Sequence, residues 1–552
     1  MKEKNFGLSA KRIARRFRDA TASAFDYGIS MKIAAEVRRR FMGLNLRCAG
    51  VFIFTFGIYS ALTVLVKHFF WEIDPVMGMT ISLLAALSAI PLMLSHHTLG
   101  ESLHKTRTGN TILSLIGIRE ESVRQVEPFG RSNAAFICGV VIGTLTFFFT
   151  PGDMLLFLTA LVLGGVILTV PESSVIFAAA ILPLGLERLC LVLSVLGIVS
   201  FALKYLRYKR TIENTLHDKA AGVMLVLLLL GALVCVHGGG GFSFVSLMMS
   251  YFIVSFSPSA SSLGDRLVSV LVASGGLSSA VFIGFALADF ALSDGKRAFA
   301  ESMESIAVYD TSVVSVVLVA LIPVAVSLLL SGGALARSTS LLSTASMIAF
   351  LVLEGGYIYL VSALVGVVFA IMFYNRRVAY LMIALAFAAA VVLAWTGGGE
   401  GSVEAFANLL GRTEGGDTSY QYFMFGEGLS RGFGRGGSFY TVLMSRLGFV
   451  GVAVVLAFSV LVSGELIGLA KKCRILGINI YKKACIPLGG LIALAVCGIR
   501  VNIWECHEGF MLFWLLSGSF SAYLAGESAV ADKLLEGRRE EKSRNAAGIT
   551  IK

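Results

Sequence analysis

Apolar residues along this chain are gathered into long runs separated by short polar segments. The runs lie near 48–66, 77–94, 134–150, 154–170, 174–186, 189–203, 220–237, 242–257, 267–292, 308–330, 340–353, 357–374, 378–395, 438–464, 485–500 and 509–525. A helix needs roughly 20 such residues to cross the hydrocarbon core of a bilayer, and most of the runs come close to that length. Two, 174–186 and 340–353, are short. Pro183 and Gly185 break the first, and Glu187-Arg188 follow it. Short or broken segments inside membranes often line a polar cavity. The pattern predicts an all-α polytopic integral membrane protein with about 14–16 transmembrane helices.

Composition agrees. Of 552 residues, 56% are apolar and 15% charged, where soluble domains carry about 25% charged residues. Mean hydropathy is +0.81. A soluble enzyme, a secreted disulfide scaffold and a disordered chain are excluded. Charge then sets the orientation. The formal charge is +11, and cytoplasmic loops of membrane proteins collect Lys and Arg. With the N-terminus inside and the runs alternating, the cytoplasmic segments hold 37 of the 46 Lys and Arg. Both termini are expected in the cytoplasm, and losing any adjacent pair of runs leaves that orientation unchanged. The resulting plan has five parts. A basic cytoplasmic segment (1–47) precedes transmembrane helices with short loops (48–395). An extracytoplasmic Gly/Arg loop (396–437), C-terminal transmembrane helices (438–525) and a charged cytoplasmic tail (526–552) follow. Within 1–47, Ile13, Phe17 and Ala24 share a helical face beside Lys11, Arg12, Arg15, Arg16 and Arg18. That suits either a helix lying on an anionic leaflet or a plain positive-inside flank. No basic–aromatic motif accompanies the positive charge, so no nucleic-acid partner is expected.

None of the eight cysteines forms a CxxC pair, which leaves zinc, iron–sulfur and thioredoxin chemistry without support. HExxH and P-loop motifs are also missing, and no metal or cofactor is expected. The 396–437 loop faces outward in this topology. Its glycines at 426, 428, 432, 434, 436 and 437 surround Glu427, Arg431 and Arg435. Arg446 lies about two turns into the next helix. Glycine lets backbone N–H groups approach an anion closely, and arginine offers a planar fork of donors to phosphate oxygens. Arg431, Arg435 and Arg446 together suit a lipid-linked phosphate or diphosphate. The plainer reading has the loop as a flexible linker, with Arg446 snorkelling or paired with a carboxylate such as Glu465 or Glu354. A second outward loop, RVNIWECHEG, holds Arg500, Glu505, His507 and Glu508. A carboxylate or His near an acceptor hydroxyl serves as general base, and His507 with Glu508 is the one adjacent outward His–carboxylate pair. Glu427, His507 and Glu508 are the candidate catalytic residues. Arg431, Arg435, Arg446, Arg500 and Asp310 are the candidates for substrate binding. Trp71, Trp395, Trp504 and Trp514 lie near span ends or in late spans, and interfacial anchoring accounts for at least three.

Several stretches resemble the O-antigen ligase and polysaccharide polymerase family of bacterial membrane proteins, in a divergent Gram-positive type, over roughly 50–525. FGIYSALTVLVKHFF, then ISLLAALSAIPLMLS and LIGIREE, resemble its N-terminal part. The stretch from FLTALVLGG to KYLRYKR resembles its early clustered spans with their basic loop. YDTSVVSVVLVALIPVAVSLLL is similar to a span that opens with Asn-Pro-Asn in the family, and GYIYLVSALVGVVFAIMFYNRR to one that opens with Ser-Arg. FGEGLSRGFGRGGSFYTVLMSRLGFVGVAVVLAFSVLV resembles the outer loop and re-entry helix, and MLFWLLSGSFSAYL the terminal span. SRGFGRGG also resembles the outer loop of shape-and-division peptidoglycan polymerases. This chain departs from the family at four places. It reads Tyr309-Asp310-Thr311 for Asn-Pro-Asn and Leu353-Glu354 for Ser-Arg. The family's outer-loop His falls at Gly437, and the acid of the re-entry helix at Arg446.

The resemblance implies transfer of a polyprenyl-diphosphate-linked glycan to an acceptor glycan or lipid, at the outer face of the bacterial cytoplasmic membrane. The lipid diphosphate departs, and arginines stabilise it. The family's histidine does not carry over, so acceptor activation must use another group or none. Two other classes stay open. A lipid-linked glycan flippase favours internal repeats and midplane charges, and would depend on residues such as Glu465. A catalytically degenerate family member would act as a scaffold.

Overall fold

The computed structural model describes residues 36, 39–40, 42–71, 76–116, 129–208, 215–234, 241–257, 260–292, 311–354, 357–374, 377–378, 380, 426, 429, 438–478 and 480–546. Among these residues the regular elements are all helical, with two isolated β-bridges, Leu44 to Phe129 and Asn45 to Thr98. Nine of the described helices are long and apolar enough to cross a membrane, and five shorter ones are also apolar. The protein is an all-α, multi-pass membrane protein. Every apolar run of the sequence coincides with a helix except 378–395, which falls almost wholly outside the described residues. The chain forms two compact units. One is Met1–Phe177 with Val195–Thr211, and the other is Ala178–Ser194 with Ile212–Lys552.

The first unit contains α1 (Leu46–Trp71), α2 (Val76–Met93), α3 (Leu99–Lys105), α4 (Arg107–Ile116), α5 (Ser132–Leu145) and α6 (Pro151–Thr169). The helices α7 (Glu172–Ile181) and α8 (Glu187–Tyr208) contribute residues to both units. Lipid tails give no hydrophobic drive between helices, so helix contacts there rely on small residues and hydrogen bonds. Accordingly α1 packs on α2 and α5 through glycine. A Cβ on Gly57 would lie 2.6 Å from the Ser82 carbonyl oxygen. Ser60 and Ser82 share a hydrogen bond of 2.9 Å across the same contact. Lys67 Nζ donates to the Thr146 carbonyl at 2.8 Å, and Lys204 pairs with Glu172 at 3.1 Å. The short helices α3 and α4 occupy the polar stretch where hydropathy shows no run. α3 begins with a reciprocal cap in which Thr98 Oγ1 accepts from the Glu101 N–H, and Glu101 accepts from the Thr98 N–H, each at 3.2 Å.

The second unit contains α9 (Leu216–Val234), α10 (Gly241–Ser255), α11 (Ala260–Leu292), α12 (Thr311–Ser331), α13 (Ala334–Glu354), α14 (Tyr357–Tyr374), α15 (Phe439–Leu476), α16 (Cys485–Cys497) and α17 (His507–Ala546). Two of these form its interior. The most apolar stretches of α12 and α17 are 78% and 83% buried, against 22% for α14. α12 packs against α11, α13, α14 and α16, and α17 packs against α10, α11, α15 and α16. Gly490 lets α16 approach α12, because a Cβ there would sit 2.6 Å from the Ala320 carbonyl oxygen. α15 bends at Gly448, whose φ of 65° interrupts the helical backbone. At 40 residues, α17 is about 60 Å long, roughly twice the hydrocarbon thickness. The charged segment from residue 526 continues this helix to Ala546. There Lys472 pairs with Asp532 at 2.7 Å, and the Arg538 guanidinium donates to the Ile475 and Leu476 carbonyls that end α15.

The tryptophans correct one expectation. Trp504 and Trp514 are 0% and 1% exposed. They pack with Phe439, Phe510 and Phe513 in an aromatic cluster inside the second unit. Burial in the core, and not anchoring at the interface, explains both. Trp395 lies outside the described residues.

Candidate active site

The second unit holds two histidines, each between a carboxylate and a hydroxyl. At one end the starts of α8, α10 and α17 converge. The three-residue turn Leu182–Leu184 closes at Gly185, whose φ of 70° only glycine adopts cheaply, and the chain re-enters a helix at Glu187. Ser243 is the third residue of α10 and His507 the first of α17. His507 Nδ1 lies 2.7 Å from Glu187 Oε1. Its Nε2 lies 2.5 Å from Ser243 Oγ. With the Glu187 carboxylate accepting from Nδ1–H, Nε2 is left to accept from the Ser243 hydroxyl. The Phe244 ring stacks on the imidazole with centroids 4.5 Å apart and planes 16° apart, and Phe510 meets Phe244 edge-on at 5.0 Å. The imidazole is therefore held on both nitrogens and one face. It also stays accessible, with 20% of the His507 side chain and 51% of the Glu187 side chain exposed. Three helix N-termini point their positive ends here, which favours negative charge developing nearby.

The adjacent pair expected from the sequence, His507 with Glu508, is not the pair the fold makes. Consecutive helical residues project about 100° apart. His507 turns outward to Glu187, while Glu508 turns inward and is 3% exposed. Cys506 precedes them, and burial pushes its thiol up to about 12, so it stays protonated at neutral pH.

The same end also holds part of the arginine constellation. The Phe439 N–H donates to the Gly498 carbonyl at 2.9 Å, and Phe439 packs edge-on against Trp504, joining α15 to the 498–506 loop. Arg446 is half-buried on α15, two residues before the Gly448 bend. Gly426 lies against the Arg446 backbone, where its φ of 70° and the lack of room for a Cβ both demand glycine. This contact ties Gly426 to the helix carrying Arg446. The two carboxylates expected for Arg446 each have a partner of their own. Glu465 is bound to His217, about 28 Å further along α15, and Glu354 accepts from Ser315. Arg500 is exposed on the 498–506 loop. Glu427, Arg431, Arg435 and Asp310 lie outside the described residues.

The second histidine, with its own carboxylate and hydroxyl partners, is the buried counterpart, although Glu465 keeps 29% of its side chain exposed. His217, near the start of α9, is 0% exposed. Its Nδ1 lies 2.8 Å from Glu465 Oε2 and its Nε2 2.7 Å from Ser521 Oγ. Asp218 beside it accepts from Tyr251 Oη at 2.7 Å, Ser255 Oγ at 2.9 Å and Thr215 Oγ1 at 2.6 Å.

The sequence reading found His507 and missed Glu187 and Ser243. Glu187 was legible as a charge after a broken run, and Ser243 follows the glycines of GGGGFS. Neither signal pairs them with a histidine 264 or more residues away. Among the described residues, no group of three or more His, Cys, Asp or Glu has the geometry to hold a metal ion. Comparison with protein-family models, curated proteins and solved structures finds no match to this chain.

Proposed function

We propose that the protein is a cell-envelope glycan ligase or polymerase of the bacterial cytoplasmic membrane. In this reading it transfers a polyprenyl-diphosphate-linked glycan to an acceptor glycan or lipid at the outer face. The observation that carries the reading is His507, held on Nδ1 by Glu187, with Nε2 facing the Ser243 hydroxyl in the position an acceptor hydroxyl would take. It supplies the general base that the family resemblance left without a residue. Charge alternation along the sequence puts the starts of α8, α10 and α17 on the side away from the Lys/Arg-rich segments, where a translocated lipid-linked glycan waits.

The chemistry runs as a displacement. His507 Nε2 takes the proton of the acceptor hydroxyl as that oxygen attacks the anomeric carbon. The bond from that carbon to the diphosphate oxygen breaks, and Glu187 stabilises the imidazolium. Arg446 and Arg500, with Arg431 and Arg435, neutralise the departing lipid diphosphate, aided by the converging helix N-termini. General-base catalysis contributes about 10²–10⁴-fold.

The test is an analysis of lipid-linked precursor and finished polymer in cells lacking the protein or carrying His507→Ala. Precursor accumulating on the outer leaflet, with polymer falling in both strains, is the expected result. Precursor trapped on the inner leaflet would make the protein a flippase. Unchanged pools would leave it a scaffold.

A further inference from the structure

Ser243, His507 and Glu187 stand in the order hydroxyl, imidazole, carboxylate, with contacts of 2.5 and 2.7 Å on opposite ring nitrogens. This is the arrangement that activates a serine for nucleophilic attack. Glycan transfer needs only the base and the carboxylate, so the serine has no task in it. We infer that Ser243 is a nucleophile and that the protein carries an acyl-transfer activity towards lipid-like carboxylic esters. The inference goes beyond the glycan reading and stands without it.

Three features support the assignment. The serine comes from a third element, so nothing in the helical register of α17 or α8 forces it onto Nε2. The stack of Phe244 on the imidazole fixes the ring plane between its two partners. Ser243 lies in the first turn of α10, where the positive end of the helix favours negative charge. The substrate class follows from the surroundings. Leu184 and Phe242, next to the site in sequence, are 37% and 46% exposed, which suits an ester whose acyl chain lies along apolar helix surface.

The step balances within the site. Ser243 Oγ forms a bond to the acyl carbon as its proton passes to His507 Nε2. The carbon–oxygen bond to the leaving alcohol breaks, and the imidazolium returns its proton to that oxygen. A second hydroxyl, from water or an alcohol, then attacks acyl-Ser243. It gives its proton to Nε2, and the departing Ser243 Oγ recovers it.

The experiment treats the purified full-length protein in detergent with a lipid-like fluorophosphonate, which reacts covalently with activated serines, and maps the adduct by mass spectrometry. Ser521 is an internal comparison, because it stands in the same relation to His217 and Glu465 but is 1% exposed. The expected result is an adduct at Ser243 and none at Ser521. Labelling should vanish in Ser243→Ala, fall about 100-fold or more in His507→Gln, and be unchanged in Ser246→Ala, one turn along α10. Size-exclusion profiles matching wild type show that each variant is folded. No adduct on the wild-type protein, an adduct elsewhere, or labelling that survives His507→Gln would overturn the proposal. The probe contains no glycan and no diphosphate. Labelling without glycan transfer would therefore sink only the glycan reading, and glycan transfer without labelling only this one.

Discussion

Two histidines in the second unit have the same partners and different access. His507 lies between Glu187 and Ser243, and His217 between Glu465 and Ser521, with the carboxylate on Nδ1 and the hydroxyl on Nε2 in both. Their hydroxyl and carboxylate distances agree within a few tenths of an ångström. The two sites share α17, where Ser521 lies about 21 Å beyond His507. The surroundings separate them. His217 is fully enclosed, and Ser521 is further bonded to Ser255 at 2.8 Å. His507 and Glu187 remain open. A hydroxyl–imidazole–carboxylate chain is thus not a catalytic site by its hydrogen bonds alone. Sealed, it joins α9, α15 and α17 and satisfies polar groups that would otherwise be costly to bury. Open, it leaves a base that a substrate can reach.

The largest expected effects come from removing each histidine, and they fall on different observables. His507→Ala should lower glycan transfer by about 10²–10⁴-fold, while thermal unfolding in detergent changes by less than about 1 kcal/mol. His217→Ala should do the reverse. It leaves Glu465 and Ser521 without their shared partner and Asp218 without its neighbour, at a cost of about 3 kcal/mol in stability. Activity should then follow the folded fraction. If His217→Ala abolished transfer at full stability, the sealed cluster would be part of the reaction path, as a flippase would require.

Smaller effects should come from the carboxylates. Glu187→Gln keeps an acceptor for Nδ1 but removes the charge that stabilises the imidazolium. Because Glu187 is half exposed, water compensates in part, and transfer should fall about 10-fold, below the loss known for buried triad carboxylates. Glu465→Gln should leave transfer rates unchanged and cost about 1 kcal/mol of stability. Steady-state transfer and unfolding curves on the same preparations read both, and equal behaviour of the two variants would erase the distinction between the sites.

The degree to which this was legible in the sequence follows from how local each signal is. Hydropathy marked nearly every helix because a membrane span is a property of a continuous window. It missed α3, although Thr98 and Glu101 spell the reciprocal cap, because capping acts through polar residues that hydropathy scores as loop. His507 stood out as an outward histidine. Its partner did not, because Glu508 is its neighbour in sequence while Glu187 is its neighbour only in space. Glu465 likewise stands out in sequence as a charge on α15, while its partner His217 is its neighbour only in space. The interfacial role expected of Trp504 and Trp514 failed because a tryptophan near a span end reads alike whether the helix faces lipid or neighbouring helices.

The finest comparison concerns the rings beside each imidazole. Phe244 stacks on His507 at 4.5 Å and 16°, whereas Phe458 meets His217 at 6.4 Å and 77°. A stacked aromatic contact is worth about 0.5–1.5 kcal/mol beyond its burial. At an open site that contact is one of three things that hold the ring in plane. Phe244→Leu keeps most of the apolar volume and removes the stack, so the imidazole gains freedom to rotate off the Glu187–Ser243 line. Transfer and fluorophosphonate labelling should each fall about 3–10-fold, the equivalent of that lost orientation. His217 needs no such support, because protein encloses it on every side. Phe458→Leu should therefore cost only its packing, about 1 kcal/mol, with neither rate changed. Equal, small losses of activity in both variants would mean that the Phe244 stack is ordinary packing and that the open site is oriented by its hydrogen bonds alone.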